Sequence, residues 1–316
     1  MKEYAFGIDL GGTTAKAGLF TTAGALLEKW EIPTDTSDKG VRILPNLAAA
    51  ILDKMKEQGL TAEQIEGVGI GVPGPVQESS VVPIVCANLG GWGQQDVAAN
   101  LSLLLGGIKV MVGNDANVAA LGEIWMGAAK GCRSAVMVTL GTGVGGGVIV
   151  DGKVIDGAHG AGGEIGHITV NPKETAVCGC GKHGCLEQYS SATGVVRCMK
   201  KLLEENPDTP CVLRGTDFAA KDVFDAARSG DALAAREVDD MTDVLGLALA
   251  TIAATADPEV FLVGGGVSRA GDVLFQPLAE HYKTYAFKSC RETPIKQASL
   301  GNDAGIYGAV RLIVGA

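Results

Sequence analysis

Positively charged side chains are scarce in this sequence. Its 316 residues include 26 Lys and Arg against 36 Asp and Glu, which gives a formal net charge of −10 at pH 7. Binding to a nucleic-acid backbone needs a clustered basic face, so we expect no nucleic-acid partner. An acidic protein can still bind a nucleotide, because backbone N–H groups and a metal ion can hold its phosphates locally.

Long uninterrupted apolar runs are also missing. The apolar stretches are broken by glycines or by Asp257-Pro258, and none has the roughly 20 residues that span a bilayer. No apolar run followed by a small-residue cleavage site occurs near the N-terminus, as a signal peptide would require. We therefore expect a cytoplasmic protein without a membrane partner. The 47% hydrophobic and 20% charged residues are typical of a globular chain, and its length favours two domains.

Short apolar segments alternate with segments of helical periodicity. Buried strands are predicted at 4–10, 68–73, 108–112, 135–140 and 260–263. Alternation of this kind indicates an α/β chain with mixed sheets.

Helices are predicted at 41–58, 117–129, 231–256 and 303–314. Asp231 is expected to cap the third of these at its N-terminus. The charged run at 237–240 within that helix is expected to be a solvated face.

A hairpin made of a strand, a glycine turn and a second strand begins the chain and recurs at 135–150. A repeat on this scale indicates related domains rather than an array of short units. We expect a smaller N-terminal domain over 1–117, joined by the C-terminal helix 303–316. A larger domain is expected over 118–302, with a cleft between the two.

Three glycine-rich turns each follow a predicted strand. Glycine exposes backbone N–H groups that can bind anions, although any tight hairpin favours the same residue. No Gly-Lys-Ser/Thr follows, as a Walker loop requires, and the first two turns lead into strands rather than into a helix. Together the turns predict phosphate or nucleotide binding by Gly11, Gly12, Thr13 and Thr14, by Gly141, Thr142 and Gly143, and by Gly264, Gly265 and Gly266.

Asp9 ends the first strand, directly before the first glycine turn. A carboxylate beside phosphates would repel them unless a divalent cation lay between the two. We therefore predict that Asp9 is a Mg²⁺ ligand, directly or through water. The alternative is a carboxylate that only caps the turn.

Eight cysteines are present, and three of them crowd together at Cys178, Cys180 and Cys185. In a cytoplasmic protein this crowding indicates a metal site rather than disulfides. Zinc prefers four ligands in a tetrahedron, and His167 is the natural fourth ligand, with His183 as the alternative. A closed site of this kind is structural. The glycines expected to let the loop fold tightly are Gly179, Gly181 and Gly184.

Asn114 and Asp115 lie where a predicted strand gives way to a helix. An Asp at such a strand end can accept a hydroxyl proton during phosphoryl transfer. The alternative is that Asp115 caps the helix. Asn114 is expected to present its amide to a neighbouring hydroxyl group.

In their order along the chain, these motifs resemble the ROK family of sugar kinases and repressors, and within it the bacterial glucokinases. The resemblance extends from residue 7 to about residue 310, and its cysteine motif is highly specific. Thr14 stands where many relatives carry Lys, although Lys16 is close by, and the stretch 201–230 carries no recognised motif. The matching segments are Asp9–Thr13, Gly71–Pro75, Asn88–Trp92, Asn114–Asn117, Leu140–Gly147, Gly162–His167, Cys178–Glu187, Val263–Ser268 and Gly301–Gly308.

The resemblance implies an α/β, two-domain actin-like (ribonuclease H-like) ATPase fold. It implies ATP-dependent phosphorylation of the 6-hydroxyl of a hexose, with Asp115 as the base. Glucose is the expected hexose, and the alternatives are N-acetylglucosamine, N-acetylmannosamine, mannose, fructose and allose. A homodimer or higher homo-oligomer is expected. The implied sugar-binding residues are Gly74, Asn88, Asn114, Asp115, Glu164, His167 and Glu187.

The resemblance further assigns a structural Zn²⁺ to the Cys and His cluster, and Mg-ATP to Asp9, Lys16 and the three glycine turns. Two other functions share some of these features. A sugar-responsive repressor of the same family would carry an N-terminal helix-turn-helix domain, whereas eight residues precede Asp9. A polymerising actin-like or chaperone ATPase would explain the glycine turns but not the zinc loop.

Overall fold

The structure is a computed structural model that describes residues 2–77, 81–82 and 89–315. Strands and helices alternate along it as predicted. The strands are β1 (Tyr4–Leu10), β2 (Thr14–Thr21), β3 (Leu26–Pro33), β4 (Ile65–Val72), β5 (Val81–Val82), β6 (Gln95–Asp96), β7 (Val110–Asn114), β8 (Ala135–Leu140), β9 (Val144–Val150), β10 (Lys153–Val154), β11 (Val260–Gly264) and β12 (Ile295–Gln297). The helices are α1 (Ile43–Glu57), α2 (Val97–Leu104), α3 (Asp115–Met126), α4 (Glu187–Ser190), α5 (Ala192–Glu205), α6 (Ala220–Arg228), α7 (Ala232–Ala256), α8 (Asp272–Tyr285) and α9 (Ala304–Val314).

The first sheet has five strands in the order β3-β2-β1-β4-β7. β2 pairs antiparallel with both β1 and β3, whereas β4 pairs parallel with both β1 and β7. In this register Asp9 lies opposite Gly71, and Val72 lies opposite Asn114. The carboxyl ends of β1, β4 and β7 therefore meet at one edge of the sheet.

The second five-stranded sheet has the order β10-β9-β8-β11-β12. As in the first sheet, the earliest strand of the set is central, the two following strands lie on one side and two later strands lie on the other. β11 pairs parallel with both β8 and β12, and Gly264 lies opposite Thr139. The repeat that the sequence predicts is thus present in the sheet order of both halves.

Helix α9 packs against the first sheet and against α3 with almost no space between the backbones. A Cβ atom on Gly69 would lie 1.7 Å from the carbonyl oxygen of Ala309, and a Cβ on Gly308 would lie 1.6 Å from that of Val118. Glycine is therefore required at both positions. The core cluster around this helix contains Ala5, Phe20, Ile306, Val310 and Ile313.

Contacts divide the chain into two compact units. The first comprises Met1–Arg133, Gly147–Gly163 and Ser299–Ala316, and the second comprises Ser134–Gly146 and Glu164–Ala298. The boundary expected at 117/118 falls inside α3, which this division keeps whole. Within the described residues, no helix combines the length and apolar character needed to cross a membrane.

Helix α7 tests one predicted cap and one predicted solvated face. Asp231 caps α7 as predicted, since its side chain accepts hydrogen bonds from the backbone N–H groups of Leu233 and Ala234. The prediction that 237–240 is a solvated face is wrong for Glu237, which is 4% exposed. Glu237 lies on the buried face of α7, between Leu233 and Met241, at a position where helical periodicity predicts an apolar residue.

Candidate active site

Several predicted site residues follow the carboxyl ends of parallel strands in the first sheet. Asp9 lies near the end of β1, Gly74 follows β4, and Asn114 ends β7 with Asp115 directly after it. This edge is where ligands bind in α/β sheets, because strand ends leave backbone groups and short loops open.

Asn114, rather than Asp115, caps helix α3. Asn114 has extended backbone angles, and its Oδ1 accepts hydrogen bonds from the N–H groups of Ala116 (3.0 Å) and Asn117 (3.2 Å). Its Nδ2 donates to the carbonyl oxygen of Gly74 at 3.0 Å. The amide of Asn114 thus ties the loop after β4 to the start of α3, instead of pointing only at a ligand.

Asp115 is the first residue of α3 and is partly buried. Its Oδ1 accepts a hydrogen bond from the Ala116 N–H at 2.8 Å. The helix begins two residues earlier than predicted because the Asn114 cap precedes Asp115. Gly74, which Asn114 holds, has φ +92°, a backbone conformation that favours glycine.

The first glycine turn is closed by backbone hydrogen bonds. The Gly11 N–H donates to the Thr14 carbonyl at 3.2 Å, and Thr13 accepts a hydrogen bond from the Thr34 N–H. Gly12 lies between these closures, and Thr14 begins β2. The turn leaves Gly11, Gly12 and Thr13 as a short loop at the end of β1.

Asp9 lies beside the start of α9, where a Cβ on Gly305 would be 2.6 Å from the Asp9 carboxyl carbon. Burial raises the pKa of Asp9, and the nearby Lys16 ammonium opposes that shift. Lys16 also donates to the carbonyl oxygen of Asn302 at 3.2 Å. A partly buried carboxylate of this kind would be stabilised by a second cation.

In the second unit, His167, Cys178, Cys180 and Cys185 converge. Their ligand atoms all lie within 4.8 Å of one another. The sulfurs of Cys180 and Cys185 are 3.7 Å apart, and the Cys178 sulfur is 3.8 Å from His167 Nδ1. Tetrahedral Zn–S bonds of about 2.3 Å require sulfur separations of about 3.8 Å, so the cluster has the dimensions of a zinc site.

The chemistry of the donors also fits a cation. Burial raises the pKa of the Cys185 thiol to about 12, so its thiolate form needs a positive charge nearby. His183, the alternative fourth ligand, instead lies with its Nδ1 3.2 Å from the Ala176 carbonyl oxygen. Of the three glycines predicted to let the loop fold tightly, Gly181 and Gly184 have φ +85° and +69°, a conformation that favours glycine. Gly179 does not need to be glycine for space, because a Cβ there would meet nothing within 4 Å.

Two carboxylates predicted for sugar binding flank this cluster. Glu164 precedes the short helical turn that carries His167, and its Oε2 is 4.0 Å from His167 Nε2. Glu187 begins α4, and its Oε1 is 4.0 Å from the Cys178 sulfur. The metal loop therefore brings both carboxylates to the same cluster.

Glu187 also contacts the second glycine turn, a contact that no local sequence pattern indicates. Its Oε2 accepts a hydrogen bond from the Val144 N–H at 2.9 Å, and a Cβ on Gly143 would lie 2.3 Å from the same oxygen. On the other side of this turn, Thr193 Oγ1 donates to the Thr142 carbonyl at 2.8 Å. The Gly141 carbonyl accepts from the N–H of residue 192. The turn is thus held between Glu187 and the start of α5.

The third glycine turn lies beside the second, because β8 and β11 are neighbouring parallel strands. Gly264 ends β11, and Gly265 has φ +83° with its Cα facing the backbone of Leu140. Ser268 Oγ donates to the Gly265 carbonyl at 2.8 Å, and a side chain at Gly266 would meet open space. Asn88, also predicted to bind sugar, lies outside the described residues.

Comparisons with known proteins agree with this arrangement. The model of the ROK family matches residues 5–315. A glucokinase from Halalkalibacterium halodurans is 40% identical over 97% of this chain and 94% of its own length. A ROK hexokinase from Thermus thermophilus has a TM-score of 0.82 with 33% identity, covering 97% of this chain and 96% of its own.

A ROK family glucokinase from Streptomyces griseus, solved in complex with glucose and AMPPNP, has a TM-score of 0.75 with 33% identity and covers 98% of both chains. These likenesses confirm the predicted α/β fold of the actin-like ATPase class. They extend over nearly the full length of the chain, as the sequence resemblance does. The chain belongs to the ROK family.

Proposed function

We propose that this chain is an ATP-dependent glucokinase that transfers the γ-phosphoryl group to the 6-hydroxyl of glucose. The observation that carries the proposal is the position of Glu187. Its two carboxylate oxygens face the Cys and His cluster on one side and the glycine turn at Val144 on the other. One side chain that is expected to bind sugar is therefore in contact with a turn that is expected to bind phosphate. The glucokinase relatives support glucose as the hexose.

In the proposed mechanism Asp115 accepts the proton of the attacking hydroxyl. The capping of α3 by Asn114 supports this role, since Asp115 does not have to close the helix itself. Removal of the proton as the γ-phosphoryl group transfers makes the sugar oxygen a better nucleophile, and positioning supplies most of the remaining rate. The hydrogen bond from Ala116 fixes the carboxylate that receives the proton.

Glucose hydroxyls are proposed to bind Glu164, Glu187 and His167. Each sugar hydroxyl needs a partner, because an unpaired buried polar group costs about 1–3 kcal/mol. His167 Nδ1 faces the cysteine sulfurs, which leaves its Nε2 on the Glu164 side as the sugar donor. The other proposed contacts are Gly74, Asn88, Asn114 and Asp115.

ATP phosphates are proposed to bind the turns at 11–14 and 141–143, with Mg²⁺ near Asp9 and the adenosine near 264–266. Short glycine loops at strand ends present N–H groups to anions. Lys16 donates to the carbonyl oxygen of Asn302, so its ammonium lies near the start of α9. Neutralising Asp9 by Mg²⁺ would remove both its burial penalty and its repulsion of phosphate.

A structural zinc ion is proposed at His167, Cys178, Cys180 and Cys185. When bound, zinc would cross-link the two chain segments that carry Glu164 and Glu187, and it would supply no open coordination position. Pinning both segments fixes the spacing of the sugar carboxylates. We further propose a homodimer or higher homo-oligomer, as the family resemblance implies, and a location in the cytoplasm.

The substrate is tested by measuring ADP release with Mg-ATP and each of glucose, mannose, fructose, allose, N-acetylglucosamine and N-acetylmannosamine. We expect kcat/KM to be highest for glucose. A preference for an N-acetylated sugar would leave the proposed roles of Asp115 and of the zinc site unchanged, but it would contradict glucose as the substrate. An absence of turnover with every sugar, in folded zinc-loaded protein, would contradict the kinase proposal.

The base is tested with Asp115→Asn. The amide keeps the size of the side chain and loses its basicity, so kcat should fall at least ~10²-fold. The affinity for glucose, measured by tryptophan fluorescence or calorimetry, should stay close to that of wild type. Near-normal turnover in this variant would remove Asp115 from the mechanism.

A further inference from the structure

A cavity of about 320 Å³ lies in the second unit, and none of the residues proposed for the kinase reaction lines it. Helices α5 and α7 form its main walls, and residues of α4 and of the segment after His167 complete it. Its apolar surface comes from Leu202, Met241 and Val244. A cavity of this volume can hold a small organic molecule rather than water alone.

Glu237 lines this cavity from α7 and is 4% exposed. Within the part of the chain that the structure describes, its carboxyl group makes no hydrogen bond. Buried polar groups are almost always hydrogen-bonded, because leaving one unpaired is costly. Burial raises the pKa of Glu237 to about 8, Asp240 adds to this shift, and Arg197 opposes it. The carboxyl group is therefore a buried acceptor that faces a cavity.

The cations around the cavity already have anionic partners. Lys201 lies 3.8 Å from Glu205, and Arg236 lies 3.7 Å from Asp240. The Arg197 guanidinium donates to Glu174 Oε2 at 3.2 Å from two nitrogens and to the Gln188 carbonyl. Five acidic and three basic residues line the cavity in total. The charge that a ligand must supply is consequently positive.

We propose that this cavity binds a small organic cation, with an ammonium group at Glu237 and a short hydrocarbon chain against Leu202, Met241 and Val244. The ammonium supplies the donor that the Glu237 carboxyl lacks. The apolar wall distinguishes this ligand from an inorganic ion, and the excess of acidic groups distinguishes it from a neutral alcohol.

The cavity is connected to the segment that carries Glu187. Arg197, in its wall, donates to the Gln188 carbonyl at 2.9 Å, and Gln188 Oε1 accepts from the Cys185 N–H at 3.1 Å. Tyr189, also in the wall, donates to Glu174 Oε2 at 2.7 Å. An occupant that shifts Arg197 or Tyr189 acts on the residues next to Glu187. Occupancy therefore changes the KM for glucose, a consequence that rests on the proposed function.

Binding is measured by isothermal titration calorimetry of the zinc-loaded full chain with n-pentylammonium chloride at pH 9, where Glu237 is ionised and the ammonium keeps its proton. For six non-hydrogen atoms we expect a dissociation constant on the order of 1 mM. 1-Pentanol and potassium chloride are the neutral and inorganic comparisons, and both should bind at least about tenfold more weakly. Equal binding of either one, or no saturable binding of n-pentylammonium, would overturn the proposal.

Glu237→Gln removes the carboxylate at constant size and should weaken n-pentylammonium binding at least about tenfold. Glu204→Gln is the matched control, since Glu204 lies exposed on α5 and does not line the cavity. Val244→Phe should abolish binding by filling the cavity while Glu237 stays in place. Unchanged affinity in both cavity variants would overturn the site.

The kinetic consequence is measured separately at pH 9, with wild-type protein at saturating n-pentylammonium. The KM for glucose should change at least about twofold, and this change should disappear in Glu237→Gln. Binding without any change in KM would overturn the connection to Glu187. A protein that proved inactive as a kinase would still give the calorimetric result, so the two failures are distinguishable.

Discussion

Replacing Gly143 with alanine should disable the sugar site without unfolding the protein. The new Cβ would lie 2.3 Å from Glu187 Oε2, whereas ordinary contacts are at least 3.4 Å, so the two groups must separate by about 1 Å. The contacted atom is the end of a flexible side chain, which can move aside without a shift of the backbone. The movement takes Glu187 away from the Val144 N–H, which it now contacts at 2.9 Å.

The magnitude follows from the hydrogen bond that Glu187 is proposed to make with a sugar hydroxyl. A displacement of about 1 Å lengthens that contact to near 4 Å, which is too long for a hydrogen bond, and a bond to a charged group contributes about 1.5–3 kcal/mol. We therefore expect kcat/KM for glucose to fall ~10–150-fold, at 1.4 kcal/mol for each factor of ten.

The assay is steady-state ADP release at varied glucose and varied ATP, with zinc content and circular dichroism as tests of folding. Gly179→Ala is the matched control, because a Cβ there meets nothing within 4 Å and φ is not in the left-handed region. The control should retain activity and zinc. If Gly143→Ala, folded and zinc-loaded, turned glucose over within twofold of wild type, the inferred role of Glu187 at this turn would be refuted.

Three further changes test other parts of the structure. Cys180→Ser removes one proposed zinc ligand, so zinc content by mass spectrometry should drop, with an affinity loss beyond the ~10–100-fold typical of supporting residues; full zinc retention would contradict the site. Gly69→Ala places a Cβ 1.7 Å from the Ala309 carbonyl and should lower the free energy of unfolding by at least about 2 kcal/mol in urea titration. Folded Glu237 keeps a proton up to about pH 8 that the unfolded chain releases near its ordinary pKa of 4.5, so wild-type stability falls as pH rises through this window. The Tm of Glu237→Gln minus the Tm of wild type should therefore increase from pH 5 to pH 8. A difference that stays constant over this range would contradict the raised pKa of Glu237.

Most of the backbone architecture could be predicted because its signals are local. Apolar runs that end in glycine turns predicted β1, β8 and β11, and the crowding of cysteines predicted which residues converge in the second unit. Asp231 caps α7 as its position suggested, since capping depends on neighbouring residues alone.

The remaining features depend on contacts that join distant parts of the chain. Two roles were open for Asp115, and the backbone angles of Asn114 decided which residue caps α3. The hydrogen bond between Glu187 and Val144 spans 43 positions, so no local pattern predicts it. Glu237 was expected to be solvated because it sits in a charged run, but the packing of α7 against neighbouring helices buries it.

The close packing of α9 on the first sheet has a consequence for biosynthesis. The first unit contains both Met1–Arg133 and Ser299–Ala316. β1 and β4 can therefore pack against α9 only after almost the whole described chain has been synthesised. The second unit, ending at Ala298, is synthesised before that helix and can form while the nascent chain is still attached. At elongation rates of about 5–20 residues per second, the apolar face of the first sheet would stay exposed for roughly 9–34 seconds between the synthesis of Arg133 and that of α9. During translation this face lacks the cover that Ile306, Val310 and Ile313 give it in the folded chain.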